Sequence, residues 1–326
     1  MVTLQLNDSY DVVVIGGGAA GLNGALMLGR ARRSVVVIDA GAPRNAPAEG
    51  VHGLFAREGM SPLELVERGR AEVRRYGGHV VDGEVTGAVR DGDGFIVSLA
   101  DGRTVRARRL LVTTGLVDDL PDIAGVREQW GRGVVHCPYC HGWEVRDRAI
   151  GVVGATPMAV HQALLWGQWT DDVVLFTHTQ PEPTAEQAEQ LAARGVRVVP
   201  GEVVAVESDG DLITGVRLAD GTVIEREVVA LGARMIARAD FLASLGLHAV
   251  PHPMGPAMGD QVPADPMGRT EVPGVWAAGN VTDLSAQVGG AAAAGAFAGA
   301  QINMDLVTEE TRLAVEARRA STVPVG

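Results

Sequence analysis

Only two cysteines occur in the 326 residues, and they stand three positions apart in His136-Cys137-Pro138-Tyr139-Cys140-His141-Gly142-Trp143-Glu144. Cys-x-x-Cys spacing at the start of a helix puts both sulfurs within disulfide reach, where the helix dipole and a nearby imidazole lower a thiol pKa toward neutrality. One cysteine can then exchange with a substrate while the other faces an electron acceptor. His141 follows the second cysteine directly and is the candidate acid/base for a thiol proton, since an ordinary imidazole titrates near pH ~6.5. Capping or packing of the helix start is the competing role for His141, and His136 divides evenly between tuning the thiols and structure.

Other chemistries compete for the same string. Cys-x-x-Cys-His is literally a c-type haem attachment sequence, but that chemistry needs export, and the N-terminus MVTLQLNDSY has neither a basic nor an apolar segment. A closed structural zinc site wants four ligands and no second cysteine pair exists, so no metal is expected. Cys-Pro-Tyr-Cys is also a glutaredoxin-type motif, yet the surrounding residues do not make that small fold. A redox-active pair fits best, and two cysteines exclude the disulfide framework of a secreted protein.

Such a pair needs an electron carrier, and the first fifty residues supply a place for one. Asp11 to Ile15 is a β-branched run that ends in Gly16-Gly17-Gly18-Ala19-Ala20-Gly21 and a helical stretch, Leu22 to Arg32. In such a turn Gly16 permits the sharp bend, Gly18 lets backbone approach a pyrophosphate and Gly21 lets helix pack on strand, while the helix N-terminus supplies N–H donors. A second strand, Ser34 to Ile38, delivers Asp39 18 residues past Gly21, close to the ~20-residue spacing of a ribose-binding acid. Further on, Gly78 to Val89, Phe95 to Leu99 and Thr104 to Arg106 read as an antiparallel meander with Asp-Gly turns, followed by a buried strand, Leu110 to Gly115. Pro121 and the 125–133 stretch read as a linker. Ile150 to Ala159 repeats strand, turn and helix.

Composition narrows the function classes. All 28 basic residues are arginine, which removes Schiff-base and phosphate-loop lysine chemistry, and 43 glycines mark a chain with many close backbone contacts. A net charge of −12 would repel a phosphate backbone, so neither nucleic acid nor an anionic membrane is an expected partner. The longest apolar stretch, Val288 to Ala300, is mostly Gly and Ala and shorter than the ~20 residues of a membrane span, which points to the cytoplasm. Trp166 and Trp169 read as core or interface, and Glu309 to Arg319 as an exposed helix whose last few following residues fray.

Residues 271 to 283, Glu-Val-Pro-Gly-Val-Trp-Ala-Ala-Gly-Asn-Val-Thr-Asp, with Gln287 and the Gly/Ala helix beyond, resemble the second FAD motif of the pyridine-nucleotide disulfide reductases. A Cys-x-x-Cys pair inserted between two FAD segments, just before a second nucleotide-fold motif, resembles low-molecular-weight thioredoxin reductase over nearly the whole chain. His141 stands where that family usually has Asp. With Pro43-Arg44-Asn45 and Val51-His52-Gly53, this variant is similar to the thioredoxin-reductase-like dithiol oxidases that close disulfides in natural products such as gliotoxin and holomycin.

The resemblance implies an α/β fold of two Rossmann-like nucleotide-binding domains. A discontinuous FAD domain, 1–116 and 245–326, would surround an inserted NAD(P)-domain-like unit, 117–244, that carries the cysteines. It also implies a homodimer, exchange at Cys137, and Cys140 facing FAD. FAD would be held by Gly16, Gly17, Gly18, Ala19 and Gly21 of the turn, by Asp39 and Ala40, by Arg44, Asn45 and His52, by Val85 and Thr113, and by Gly279, Asn280, Gln287 and Val288. Asn280 departs from the family's Asp, and an amide still reaches a ribitol hydroxyl. Three features argue against NAD(P)H as the reductant: Thr156 would crowd a phosphate where a glycine is needed, Pro157 lacks an N–H, and Thr177-His178-Thr179-Gln180 replaces the usual His-Arg-Arg string. The expected activity is oxidation of a small-molecule dithiol with O2 as acceptor and H2O2 as product. An NADPH-dependent disulfide reductase and a non-catalytic flavin redox sensor are the alternatives.

Overall fold

The computed structural model describes residues 6–321, so the fraying expected of the final residues lies outside the described residues. The chain opens with β1 (Ser9–Ile15), α1 (Ala19–Arg30), β2 (Val35–Asp39), α2 (Pro62–Arg75), β3 (His79–Asp82), β4 (Val85–Asp91), β5 (Gly94–Leu99) and β6 (Thr104–Val112). Strands β3, β2, β1 and β6 lie side by side in parallel, and successive residues of β1 enter opposite cores, Val13 and Ile15 on one face, Val12 and Val14 on the other. Burial on both faces is why these strands read as continuous apolar runs.

Two strand readings change. The run 78–89 is not one meander strand: β3 pairs in parallel with β2, the chain breaks at Gly83-Glu84, and only β4 joins the antiparallel hairpin with β5. Thr104 to Arg106 and Leu110 to Val112 are one strand, whose first half pairs with β5 and whose second half pairs elsewhere. Period-two patterning marks each stretch as extended but carries no information about its partner.

The next block runs β7 (Leu116–Asp119), α3 (Val126–Gln129), β8 (Val134–Val135), α4 (Pro138–His141), β9 (Ile150–Val153), α5 (Ala159–Trp166), β10 (Val173–Phe176), α6 (Ala185–Ala193), β11 (Arg197–Val199), β12 (Val203–Asp209), β13 (Leu212–Leu218), β14 (Val223–Ile224), β15 (Val228–Leu231) and β16 (Arg234–Ala237). It forms a second parallel sheet, β11-β10-β9-β15-β8, beside an antiparallel meander, β12-β13-β14. The stretch expected as a linker is instead packed: Ile123 and Val126 lie in this sheet's core, and Ala124 bridges Ala205. Strands β7 and β16 pair antiparallel, so the chain enters and leaves the block side by side.

Beyond a 3-10 turn at Asp240–Leu245 come β17 (Val250–Pro251), β18 (Asp260–Gln261), β19 (Val275–Ala277) and α7 (Val288–Ser321). Strand β19 pairs in parallel with the second half of β6, returning the chain to the first sheet. The Gly/Ala composition of α7 is explained by its contact with α1. A Cβ on Gly295 would stand 1.9 Å from the Ala20 carbonyl oxygen, and one on Gly299 would stand 2.7 Å from that of Gly24, so only small residues let the two helices meet. The stretch 309–319, expected as an exposed helix, is the outer end of α7 and is exposed from Thr311 onward.

Candidate active site

One cavity of about 800 Å³ joins the glycine turn after β1 to the cysteine pair. Gly16, Gly17, Gly18, Ala19, Asp39, Ala40, Arg44, Asn45, His52, Val85, Thr113, Asn280, Gln287 and Val288 line it, together with Cys137, Cys140, His136 and His141. Gly21 and Gly279 are not among the lining residues. A Cβ on Gly21 would stand 1.9 Å from the Gly16 carbonyl oxygen and one on Gly279 would stand 2.8 Å from the Ala20 Cβ, so both shape the site from behind.

The turn fits a dinucleotide. Nothing lies within 4 Å of where a Gly18 Cβ would project, and α1 begins there without a side-chain cap, which leaves its first N–H groups open to a phosphate. Asp39 does more than await a ribose: Oδ1 accepts the Gly17 N–H at 3.0 Å and Oδ2 accepts from Arg70 at 2.5 Å. Each carboxylate oxygen keeps a second lone pair for a ligand hydroxyl. The Thr113 hydroxyl is turned to the carbonyls of Ile15 and Gly16 at 3.0 and 2.9 Å, so it braces the turn. Arg44 is held in a fork on Asp118 of β7.

Asn280 has a role that an aspartate would not fill. Its amide nitrogen donates to the carbonyls of Ala286 at 2.8 Å and Asp283 at 3.0 Å, securing the loop that leads to Gln287. A carboxylate has no proton to offer these acceptors.

Both cysteines are half-buried free thiols at the start of α4, where the N–H groups of Cys140 and His141 donate to the Cys137 carbonyl at 3.1 and 3.2 Å. Gln287 Nε2 donates to both sulfurs, at 3.9 Å to Cys137 and 4.0 Å to Cys140. The Cys137 thiol is held down to about 6. The Cys140 S–H bond to it is the main cause, working against burial and helped by the N–H groups of Cys140 and Tyr139 and the Gln287 amide. Cys140 is pushed up, first by donating that bond and then by burial. The reduced pair therefore holds its negative charge on Cys137 and its proton on Cys140.

Three imidazoles, His141, His136 and His52, line the same cavity as the sulfurs. Burial lowers the His141 pKa, opposed by the Glu144 carboxylate, and burial likewise lowers that of His136, assisted by the Arg44 guanidinium. His136 Nδ1 sits 3.1 Å from the Leu231 carbonyl oxygen. His52 Nδ1 is 2.6 Å from Glu58 and its Nε2 is 3.6 Å from Glu144. Sequence reasoning passed over Glu58, Arg70, Asp118 and Glu144. Only Glu144 carried a signal, standing three residues past His141, where a helical turn returns to the same face.

The turn after β9 differs from the expectation in its details. Thr156 is 5% exposed and its side chain packs on Gly232, so its bulk is directed into the fold. At the end of β10, His178 adopts a left-handed φ of 49° and its Nδ1 accepts the Val203 N–H at 3.0 Å.

Among the described residues no His, Cys, Asp and Glu side chains converge as a metal site, and no helix is long and apolar enough to cross a membrane. Two nucleotide-binding-type sheets with parallel central strands, a dinucleotide turn and a cysteine pair in one cavity define a flavin-linked disulfide oxidoreductase. Residues 10–311 match the pyridine nucleotide-disulphide oxidoreductase family, and the chain belongs to it. Thioredoxin reductase sirT of Leptosphaeria maculans is 31% identical, the match covering 90% of this chain and 93% of that one. Thioredoxin reductase tcpT of Claviceps purpurea is 28% identical over 94% and 97%. The crystal structure of HlmI superposes with a TM-score of 0.90 at 44% identity, covering 98% of this chain and 99% of that one. The protein is an FAD-dependent thiol/disulfide oxidoreductase of the thioredoxin-reductase-like type.

Proposed function

We propose that the protein is an FAD-dependent dithiol oxidase that closes a disulfide in a small-molecule, natural-product-type dithiol, with O2 as acceptor and H2O2 as product. The observation that carries this reading is the stretch after β10: Thr177, His178, Thr179 and Gln180 offer neither an acid for a ribose 2′-hydroxyl nor an arginine for a 2′-phosphate, and the His178 ring is committed to backbone. Electrons then enter as thiols. Phe55, Tyr139 and Trp143, each within two residues of a cavity-lining residue, are 97%, 64% and 67% exposed, apolar surface that a bound thiol substrate could cover.

In the oxidised protein a Cys137–Cys140 disulfide receives the substrate. A substrate thiolate attacks Cys137 Sγ, the bond to Cys140 breaks, and Cys140 leaves as a thiolate. The second substrate thiolate attacks the substrate sulfur held on Cys137, forming the product disulfide and freeing Cys137 as the low-pKa thiolate. Of the two substrate thiol protons, His141 takes up one and the Cys140 thiolate the other, which leaves the pair as Cys137 thiolate and Cys140 thiol. When bound against the 16–19 turn, Asp39 and the 286–288 segment, FAD would supply the two-electron acceptor for the reduced cysteines and the donor to O2. On the family resemblance the working unit is a homodimer.

Anaerobic mixing of the yellow protein with a small dithiol, and separately with NADPH, tests the reading. Bleaching by dithiol, reversed by air with peroxide release, is expected. Rapid bleaching by NADPH would replace it with the NADPH-dependent reductase, the reading favoured by the relatives' name.

A further inference from the structure

His52 stands between the cavity and solvent, with its side chain 20% exposed and a carboxylate at each ring nitrogen, Glu58 at Nδ1 and Glu144 at Nε2. The loop that returns Glu58 to it is built tightly. Val51 bridges Met60, Gly59 N–H donates to the Val51 carbonyl at 2.9 Å, and the second Glu58 oxygen accepts the Gly53 N–H at 2.9 Å. Ala56 takes a left-handed φ of 60°, strain of the kind that persists only where the surroundings impose it. On the other side the Glu144 N–H donates to the His141 carbonyl at 3.1 Å, one helical turn beyond the second cysteine. A run of titratable groups thus leads outward from the sulfurs: His141, Glu144, His52 and Glu58, with the two carboxylates 41% and 66% exposed.

The chemistry of the site needs such a path. Disulfide exchange takes two protons from substrate thiols inside a half-buried cavity; one stays on Cys140 and the other must leave, while burial disfavours the imidazolium that His141 becomes. We propose that Glu144 and the His52–Glu58 pair form the proton outlet of the cysteine pair, relaying to solvent the proton that His141 removes from the substrate thiol. This rests on the thiol-exchange reading of the site. The step balances: as the substrate S–H bond breaks, its sulfur bonds to Cys137 Sγ, the Cys137–Cys140 bond is reduced and Cys140 departs as thiolate, while the proton passes from His141 to Glu144, His52, Glu58 and water. The second substrate thiol gives its proton to the Cys140 thiolate as its sulfur closes the product disulfide, so the exchange sends one proton outward and leaves the pair as Cys137 thiolate and Cys140 thiol.

The other charged groups near the path are committed elsewhere. Arg44 is paired to Asp118, and His136 holds a backbone carbonyl. Arg57 donates to the Ala56 carbonyl, and Arg146 lies over the Trp143 ring and donates to the Trp143 carbonyl. Cys137 and Cys140 are the groups the outlet serves. Glu144 and Glu58 act through the histidines and are positioning residues.

The test uses the FAD-loaded protein, anaerobic, with dithiothreitol as reductant, following disulfide reduction by stopped flow from pH 5.5 to 9. Glu144→Gln is expected to slow the step about tenfold near pH 7.5 and Glu58→Gln by somewhat less, with the double variant no slower than the worse single, because the groups act in series. Removing the Glu144 charge lowers the His141 pKa, so the histidine limb of the profile moves to lower pH. Free imidazole added to the buffer restores the variants and leaves the wild type and a remote control, Glu186→Gln, unchanged. Profiles that superimpose on the wild type, or slowing that imidazole does not relieve, would overturn the proposal. FAD content and melting temperature verify each fold, and if Glu144→Gln loses FAD, Glu58→Gln on its exposed loop decides alone. Failure of the oxidase reading is separate: it appears as wild type that yields no peroxide, with the exchange profile intact.

Discussion

The turn after β1 and the turn after β9 are two versions of one local fold, strand into glycine turn into helix, on the two sheets. In the first, open space faces Gly18, a 12-residue helix follows, and β2 ends in Asp39 at the cavity. In the second, Thr156 is buried on Gly232, an 8-residue helix follows, and two residues past β10 stands a histidine tied to the Val203 backbone. Backbone architecture is the same in both, while open space at the helix start and an acid at the end of the next strand are found only in the first. Fold alone therefore does not settle whether a second nucleotide binds.

The sharpest break in this comparison would come at the cysteines, since the oxidase reading routes every electron through them. Cys140→Ser is expected to bring dithiol-driven bleaching of FAD to background, and undiminished bleaching would remove Cys140 from the path. Next in size, Gly21→Val places a side chain against the Gly16 carbonyl, and we expect loss of FAD with a destabilisation of about 3 kcal/mol, read by absorbance and denaturant melts. The double variant Thr156→Gly with Pro157→Ala probes the other turn. If the end of β10 is what excludes NADPH, bleaching by NADPH stays at least about tenfold slower than by dithiol, whereas fast bleaching would locate the block in the turn.

Smaller effects sharpen the picture of the first sheet. Asn280→Asp strips the donors from the Ala286 and Asp283 carbonyls, so a loss of about 1–3 kcal/mol in FAD-loaded stability is expected by thermal melting. Smallest is a shift on the pH axis. Alkylation of Cys137 in the reduced protein should have its midpoint near pH 6, because the thiolate persists down to the depressed pKa of about 6. Cys140→Ala, which removes the main hydrogen bond to that sulfur, should move the midpoint upward.

Much of the site was legible in the chain because its chemistry is local. The 16–21 turn, Asp39, the cysteine pair and the 279–288 segment are short strings whose spacing carries their geometry, and all of them meet at the one cavity or directly behind it. Strand partners were less legible. The run 78–89 divides between a parallel and an antiparallel neighbour, and β6 serves two, because pairing is chosen by sheet topology. Thr156 shows the same limit at one residue: its type suggested crowding of a phosphate, while its burial against Gly232, 76 positions away, decided where the side chain lies.

By itself, then, the sequence determined the class of chemistry, the dinucleotide turn and the cysteine spacing, since bond geometry and hydrogen-bonding capacity within a few residues suffice for those. Tertiary structure alone decided which cysteine carries the charge, why position 280 is an amide, and that Glu58 and Glu144 meet on His52. Each of these depends on groups brought together from distant segments, where burial and electrostatics act only once the two sheets and α7 have packed around a common cavity.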